Sequence, residues 1–239
     1  ASNVSNLQNA WVWDSVDNAT VADNVANDNA RATPAGYKAT PIVIDGMMFI
    51  PTSFGRIVAL DAVSGEERWV FDTRAWEAGQ PANLGYNTRG VAYWEGGGEQ
   101  RIFYATNDSM LWSIDALTGQ PDSAFGDDGK IDLSLGLGRD INKRLYGVVS
   151  PPLVTNNRVI VNSIVNDAPQ SKEMPPGHVR AFNPATGELE WMFETIPQAG
   201  EFGNDTWEDG SWEYTGNTNS WTIMSADDEL GIVYLPIGT

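Results

Sequence analysis

Hydrophobic residues in this chain come in short runs separated by turn residues, with no long stripe of 3.6-residue period. The 24 Gly and 13 Pro residues punctuate those runs. Within a run, β-branched or aromatic side chains alternate with small ones, and alternation with a period of two residues is typical of β-strands. The pattern therefore predicts a mostly β protein.

One sequence unit occurs three times along the chain. The copies are GRIVALDAVSGEERW at 55–69, SMLWSIDALTGQPD at 109–122 and GHVRAFNPATGELEW at 177–191. Each begins as a strand and reaches an Asp or Asn followed by a Ser-Gly or Thr-Gly pair, where the Asx side chain can bond the backbone and Gly supplies a positive φ. Two copies continue to Trp69 and Trp191, whose rings can cover the neighbouring unit, whereas the middle copy has Phe125 further on.

A second hairpin is predicted upstream of each unit, over 39–53, 89–108 and 150–163. Two hairpins make four antiparallel strands, and four strands with a Trp near the end describe a blade of a β-propeller. The predicted fold is all-β, an incomplete propeller of about three and a half blades. Its expected parts are an N-terminal strand and loop at 1–35 with the strand near Ala10–Trp13, blades at 36–80, 81–145 and 146–218, and one hairpin of a further blade at 219–239.

This number of blades does not complete a ring, because propellers close with about 4–8 blades. We therefore expect either a fragment of a longer protein or self-association of two chains through open blade edges, since unpaired strands invite pairing with another chain. Long loops, where binding groups collect on a rigid scaffold, are expected at 74–88, 122–148, 164–177 and 196–218.

The charge of the chain narrows the expected partners. Its net charge of −18, from 32 acidic and 14 basic side chains, repels phosphate backbones and anionic lipids, so nucleic acid is not an expected partner. No apolar run is long enough for a membrane span, and no signal peptide is recognisable at the start of the sequence. The absence of Cys excludes thiol catalysis, Cys-bound zinc and disulfides.

Several segments carry a family resemblance that covers nearly the whole chain. They are NVSNLQNAWVW (3–13), TPIVIDGMMFI (40–50), RGVAYW (89–94), FGDDGKIDLSLGLG (125–138), YGVVSPPLV (146–154), GHVRAFNPATGELEW (177–191) and NSWTIMSADDELGIVYLPIGT (219–239). They resemble the quinoprotein dehydrogenases, which carry pyrroloquinoline quinone (PQQ) in an eight-bladed propeller, and particularly the membrane glucose dehydrogenase branch. RGVAYW, FGDDG and SPPLV in this order are much more specific than the blade repeat.

The resemblance implies an enzyme that oxidises a sugar, polyol or alcohol in the periplasm or elsewhere outside the cytoplasm. PQQ would take two electrons and pass them to a downstream electron acceptor, while Ca²⁺ or another divalent cation polarises the reactive carbonyl. Because PQQ bears three carboxylates, it would need local cations in a chain of charge −18. The family's catalytic aspartate is expected just beyond Thr239, so this chain alone is expected to lack turnover.

Three residues match family positions that contact PQQ. Arg89 matches an arginine that holds the cofactor, Trp221 a tryptophan that lies flat against the quinone, and Ser163 a serine near a cofactor carboxylate. The residues alone leave alternatives open: a surface arginine paired with an acid, a packing tryptophan among ten, and a serine that is solvated or bonded to the backbone.

The pair Asn166-Asp167 stands where relatives bind the cation, and hard cations take oxygen ligands. The alternative is an Asx pair that caps a turn before Pro169. His178, the single histidine, falls in a strand of the third repeat and is expected to be structural rather than a general base.

The sequence also departs from the family pattern. Lys38 replaces a glutamate that contacts the cofactor, Val149 replaces a threonine, and residues 86–88 lack the adjacent cysteines of many alcohol dehydrogenases. A competing function is a noncatalytic propeller scaffold for protein–protein interaction in the cell envelope. RGVAYW, FGDDG and the NSW segment at 219–221 favour the dehydrogenase, because a scaffold needs only the blade repeat.

Overall fold

Antiparallel four-stranded sheets dominate the computed structural model, which describes residues 4–26, 34, 36–83 and 85–238. The first sheet contains β1 (Ile42–Ile44), β2 (Met47–Pro51), β3 (Arg56–Asp61) and β4 (Glu67–Asp72). The second contains β5 (Ala92–Gly96), β6 (Glu99–Ala105), β7 (Met110–Asp115) and β8 (Lys130–Asp132). In both, every strand pairs with the strands before and after it in the chain.

The third sheet has the same order but is interrupted by a small two-stranded sheet. Its strands are β10 (Leu153–Thr155), β11 (Arg158–Val161), β13 (Val179–Phe182) and β14 (Leu189–Phe193), and the small sheet pairs β9 (Tyr146–Gly147) with β12 (Ile164–Val165). A last hairpin joins β15 (Ser225–Asp227) to β16 (Ile232–Tyr234). The helical parts are α1 (Asp17–Ala26) and short 3₁₀ turns at Val4–Asn6, Ala75–Ala78, Lys143–Leu145, Asn204–Thr206 and Glu208–Glu213.

The turns between the third and fourth strands form as the sequence predicts. The Asp61 carboxylate accepts hydrogen bonds from the backbone N–H groups of Val63 and Ser64. Gly65 then adopts a φ of 74°, which is the left-handed region where a side chain costs energy. The corresponding turns at Asp115 and Asn183 have the same bonds and glycines. The repeated sequence unit is therefore a repeated hairpin.

Two of these glycines lie under a tryptophan ring from the preceding part of the chain. The Trp69 ring lies over Gly119 of the second sheet, and its Nε1–H donates to Ala116 O at 3.1 Å. Trp11 lies over Gly65 in the same way. At the third junction, where the repeat lacks its Trp, the backbone of Gly126 lies against Gly187 instead.

The cores lie between the sheets, which explains why the middle strands are almost continuously apolar. One buried cluster joins the first and second sheets, a larger one joins the second and third, and a third lies between the third sheet and the last hairpin. The buried Arg101 adds a polar link, because its guanidinium donates to the carbonyls of Pro184 and Ala185 in the third sheet's turn. The sheets thus stack side by side as sectors, and the predicted incomplete propeller is confirmed.

The N-terminal strand predicted near Ala10–Trp13 is wrong, because these residues form no strand and pair with none. The alternating Trp11 and Trp13 instead pack against the first sheet with Ile50, Val58 and Leu60. Helix α1 follows, and the carboxylate of Asp17 at its start accepts hydrogen bonds from Thr52 and from the backbone of Phe54. Residues 1–3, 27–33 and 35 of the predicted N-terminal region lie outside the described residues.

Within the described ranges, no helix is long and apolar enough to cross a bilayer.

Candidate cofactor-binding hub

The segments that enter the first strand of successive sheets lie side by side. The backbone N–H of Thr40 donates to Arg89 O, and the backbone N–H of Arg89 donates to Val149 O, both at 2.9 Å. The Ser150 hydroxyl then donates to Trp221 O at 2.7 Å. These contacts connect all three sheets and the last hairpin, and we call the residues that make them the hub.

The hub brings two of the predicted site residues together. The Arg89 guanidinium carbon lies 5.0 Å from the centroid of the Trp221 ring, which is the distance of a cation–π contact. Trp221 remains 40% exposed, so one part of its ring system is open to a ligand. The sequence does not predict this contact, because the contact forms only when the second sheet and the last hairpin pack together.

Arg89 is a partly buried cation without a counterion among the described residues. Burial lowers the pKa of its guanidinium, although an arginine stays charged at neutral pH. In a chain with 32 acidic side chains, the predicted alternative was a surface arginine paired with an acid. No described carboxylate lies within ion-pair distance of Arg89, so its charge is available to an anionic ligand.

Ser163 lies between β11 and β12, and it is fully buried. Its hydroxyl has no hydrogen-bond partner in the described part of the chain. The preceding residue, Asn162, donates its side-chain amide to Thr222 O at 2.7 Å, which fixes this segment beside Trp221. Ser220 is a second buried hydroxyl without a described partner. Orphaned buried hydroxyls are costly, and an acceptor on a bound molecule would satisfy them.

Ser150 and Ser220 are hub residues that the sequence pattern did not predict. Ser150 was visible as the first residue of the SPPLV match, but its bond to Trp221 O depends on tertiary structure. Ser220 precedes the predicted Trp221, and nothing in the sequence shows that its hydroxyl is buried.

The predicted metal pair lies in a different setting. Asn166 donates its amide to Ala82 O and accepts the backbone N–H of Ala168 at 2.8 Å, which is the geometry of an Asx turn. Asp167 is exposed, and its backbone N–H donates to Asn83 Oδ1. No hydrogen bond or ion pair joins either residue to Arg89 or Trp221 within the described ranges.

The described residues contain no group of three or more acidic or histidine side chains arranged to hold a metal ion. A cavity of about 420 Å³ does lie between Asn166-Asp167 and the loop at 80–83. The pair therefore offers a cation the Asp167 carboxylate and the second lone pair of the Asn166 amide oxygen, whose first lone pair accepts the Ala168 N–H.

The positions that depart from the family pattern are also placed. Lys38 is exposed, whereas Val149 is buried and contributes its backbone carbonyl to the hub. Tyr86 is buried in the cysteine-free stretch, and its hydroxyl lies 3.1 Å from Trp76 O and 3.0 Å from Gly79 O. Burial raises the pKa of this phenol, so Tyr86 stays protonated and ties down the loop.

Four-stranded antiparallel sheets that stack side by side around a hub are typical of a β-propeller domain. Residues 1–239 match the family described as "PQQ: Glucose/ethanol/alcohol dehydrogenase, beta-propeller domain", and the chain belongs to this family. The predicted resemblance to quinoprotein dehydrogenases is thus confirmed.

Curated relatives agree with this assignment. The chain is 29% identical over 253 residues to quinoprotein glucose dehydrogenase of Gluconobacter oxydans, covering 100% of this chain and 30% of the relative. It is 30% identical over 251 residues to quinoprotein glucose dehydrogenase of Escherichia coli, covering 100% of this chain and 29% of the relative. The chain therefore spans about three-tenths of the length of the relatives that it matches.

Solved structures share the fold. Quinohemoprotein alcohol dehydrogenase ADHIIG from Pseudomonas putida HK5 is 28% identical, with a TM-score of 0.67 over 85% of this chain and 28% of that one. A europium-containing methanol dehydrogenase has a TM-score of 0.66 over 97% of this chain and 38% of that one. At 20% identity the latter likeness shows the fold alone.

Proposed function

We propose that this chain supplies part of the cofactor-binding hub of a PQQ-dependent dehydrogenase that oxidises a sugar, polyol or alcohol. The observation that carries the proposal is the unpaired Arg89 guanidinium held 5.0 Å from the partly exposed Trp221 ring. The family match supports the cofactor, and the names of the relatives support the substrate class.

The residues of the hub suit PQQ chemically. Arg89 can donate two parallel hydrogen bonds to a cofactor carboxylate, and its charge offsets the acidic field of the chain. Trp221 offers a flat aromatic face to a flat conjugated ring. Ser163 can donate its orphaned hydroxyl to a carboxylate oxygen. When bound, PQQ would supply the two-electron redox centre, which a chain without Cys does not provide from a thiol pair.

The residues of the predicted metal pair suit a cation only in part. The oxygens of Asn166 and Asp167 would fill only part of a calcium coordination shell, because Ca²⁺ takes about 6–8 oxygen ligands. Binding of Ca²⁺ therefore stays a prediction that rests on the family resemblance. The downstream electron acceptor is a prediction with the same basis. A location outside the cytoplasm is a proposal with the same basis.

Isothermal titration calorimetry with PQQ tests the proposal by measuring the affinity of the protein for the cofactor. We expect Arg89→Ala to weaken PQQ binding at least about tenfold, because a carboxylate loses its charged donor. Trp221→Ala should weaken it similarly, while Trp221→Phe should retain part of the affinity through the remaining aromatic face. Arg68→Ala is the matched control, since Arg68 is an exposed arginine in surface ion pairs.

Equal affinities for the Arg89→Ala, Arg68→Ala and unmodified proteins would contradict the assignment of Arg89. Absence of any PQQ binding, also in a protein extended to the length of the relatives, would remove the dehydrogenase proposal and favour the scaffold alternative.

A further inference from the structure

A second cleft, separate from the hub, opens between the end of β14, the 3₁₀ turn at Glu208–Glu213 and the residue before β13. Its volume is about 110 Å³, which is room for several water molecules or one small organic molecule. Most of its lining residues carry polar side-chain groups, among them Arg139, His178, Glu194, Gln198, Trp212 and Glu213. None of the predicted cofactor or metal residues lines it.

His178 is the most deeply buried titratable side chain that lines this cleft. It is only 5% exposed, and its Nδ1 has no hydrogen-bond partner in the described part of the chain. Burial lowers its pKa to about 4, with Arg180 and Arg139 adding to the effect, so the imidazole is neutral at pH 7. A buried polar atom is rarely left unpaired, so the orphaned ring nitrogen of this cleft-lining residue calls for a partner.

Hydrogen bonds to the backbone hold two of the side chains that line the cleft. The Arg139 guanidinium is fixed by three backbone carbonyls, those of Tyr214 at 2.5 Å, Met174 at 2.9 Å and Thr215 at 3.0 Å. The side-chain amide of Gln198 donates to Ile196 O at 2.9 Å. Polar groups that are already held in place lose little conformational entropy when a ligand binds. The free energy of binding is therefore more favourable, even for a ligand with few contacts.

The chemistry of the lining selects the kind of ligand. Glu194 and Glu213 accept hydrogen bonds and repel anions, and burial together with nearby Glu201 raises the pKa of Glu194. Arg139 can only donate, and the neutral His178 can donate or accept. Cations find no cluster of three acidic or histidine ligands among the described residues. Hydroxyl groups both donate and accept, so a neutral polyhydroxyl compound matches every group.

Trp212 completes this match, because the C–H face of a polyol chain or sugar ring packs on an indole ring. We propose that the cleft at His178 and Trp212 binds a small neutral polyol, such as glycerol or one edge of a monosaccharide. The site concerns binding alone, and it does not depend on PQQ or on the reaction at the hub.

The single histidine gives a direct test. The imidazole proton signals of His178 need no assignment in NMR spectra, and they can be followed while glycerol or glucose is added to the protein at pH 7. We expect a saturable shift with half-saturation at roughly 1–50 mM, as a small ligand with few contacts allows. Trp212→Ala and Glu194→Gln should each reduce the affinity at least about threefold.

Two controls separate this site from others. Trp207→Ala changes a tryptophan of the same loop that does not line the cleft, and it should leave the titration unchanged. Trp221→Ala disables the proposed hub, and it should also leave the titration unchanged.

Four results would overturn the proposal: no shift of the His178 signals up to about 100 mM polyol, an identical titration in Glu194→Gln, loss of the shift in Trp221→Ala, or a shift caused by Mg²⁺ or acetate but not by polyols. If Trp212→Ala fails to fold, Glu194→Gln decides the question, because it changes only one oxygen to an amide nitrogen.

Discussion

At the residue scale, three side chains that the sequence analysis considered lie in two different places. Arg89 and Trp221 meet at the hub, whereas His178 lies buried before β13 with one unpaired ring nitrogen. The sequence predicts the identity of these residues but not their surroundings. Segments that are far apart in sequence bury these side chains and supply their hydrogen-bond partners. A local sequence pattern therefore does not predict their surroundings.

His178 should make the stability of the protein depend on pH. Its pKa falls from 6.5 to about 4 on folding, so folding favours the neutral imidazole. The contribution is full above pH 6.5 and is lost as the pH falls toward 4, because the unfolded chain then binds a proton that the folded chain resists. A difference of this size corresponds to roughly 3 kcal/mol.

Urea denaturation of the protein and of His178→Gln between pH 4 and 7.5 measures this contribution. We expect the stability difference between the two proteins to shrink as the pH falls, since glutamine does not titrate. A difference that stays constant over this range would show that His178 is not buried in its neutral form.

At the element scale, the units are joined by one close contact that recurs: a tryptophan ring on a turn glycine. Gly119 has a φ of 73°, and a Cβ added there would lie 2.6 Å from the Trp69 ring. Gly46 has a similar φ of 81°, but a Cβ there would meet nothing within 4 Å. Comparing substitutions at the two glycines therefore distinguishes the cost of backbone strain from the cost of disturbed packing between two sheets.

Substitution of these glycines tests the contact. Gly46→Ala should cost about 1–2 kcal/mol through the left-handed backbone alone. Gly119→Ala should cost this amount and about 1–3 kcal/mol more, because the Trp69 ring must move. The midpoints of urea denaturation give both values. Equal losses for the two variants would mean that the ring does not hold the sheets together.

The elements that the sequence predicts correctly are those with local causes. The Asx turns at Asp61, Asp115 and Asn183 follow from a side chain that bonds the backbone two and three residues ahead. The strand expected near Ala10–Trp13 fails because a strand needs a partner that lies elsewhere in the chain. Helix α1 was missed because its main anchor, Asp17, bonds residues of the first sheet.

At the scale of the whole molecule, three sheets and one hairpin make a series of sectors, and the chain spans about three-tenths of the length of its relatives. Self-association through open blade edges stays a prediction. We expect the sedimentation coefficient to rise with protein concentration as copies associate. Added salt should increase the associated fraction, because screening reduces the repulsion between copies of charge −18. A single monomeric species at low and high salt would contradict this prediction.

The central claim is that Arg89 and Trp221 form one PQQ site at the hub. A double-mutant cycle on PQQ affinity, with Arg89→Ala, Trp221→Ala and the double variant, tests it most directly. Because the two side chains touch each other, their losses in binding free energy should differ from additivity by about 0.5–3 kcal/mol. Strictly additive losses, or an unchanged affinity in either single variant, would contradict the claim.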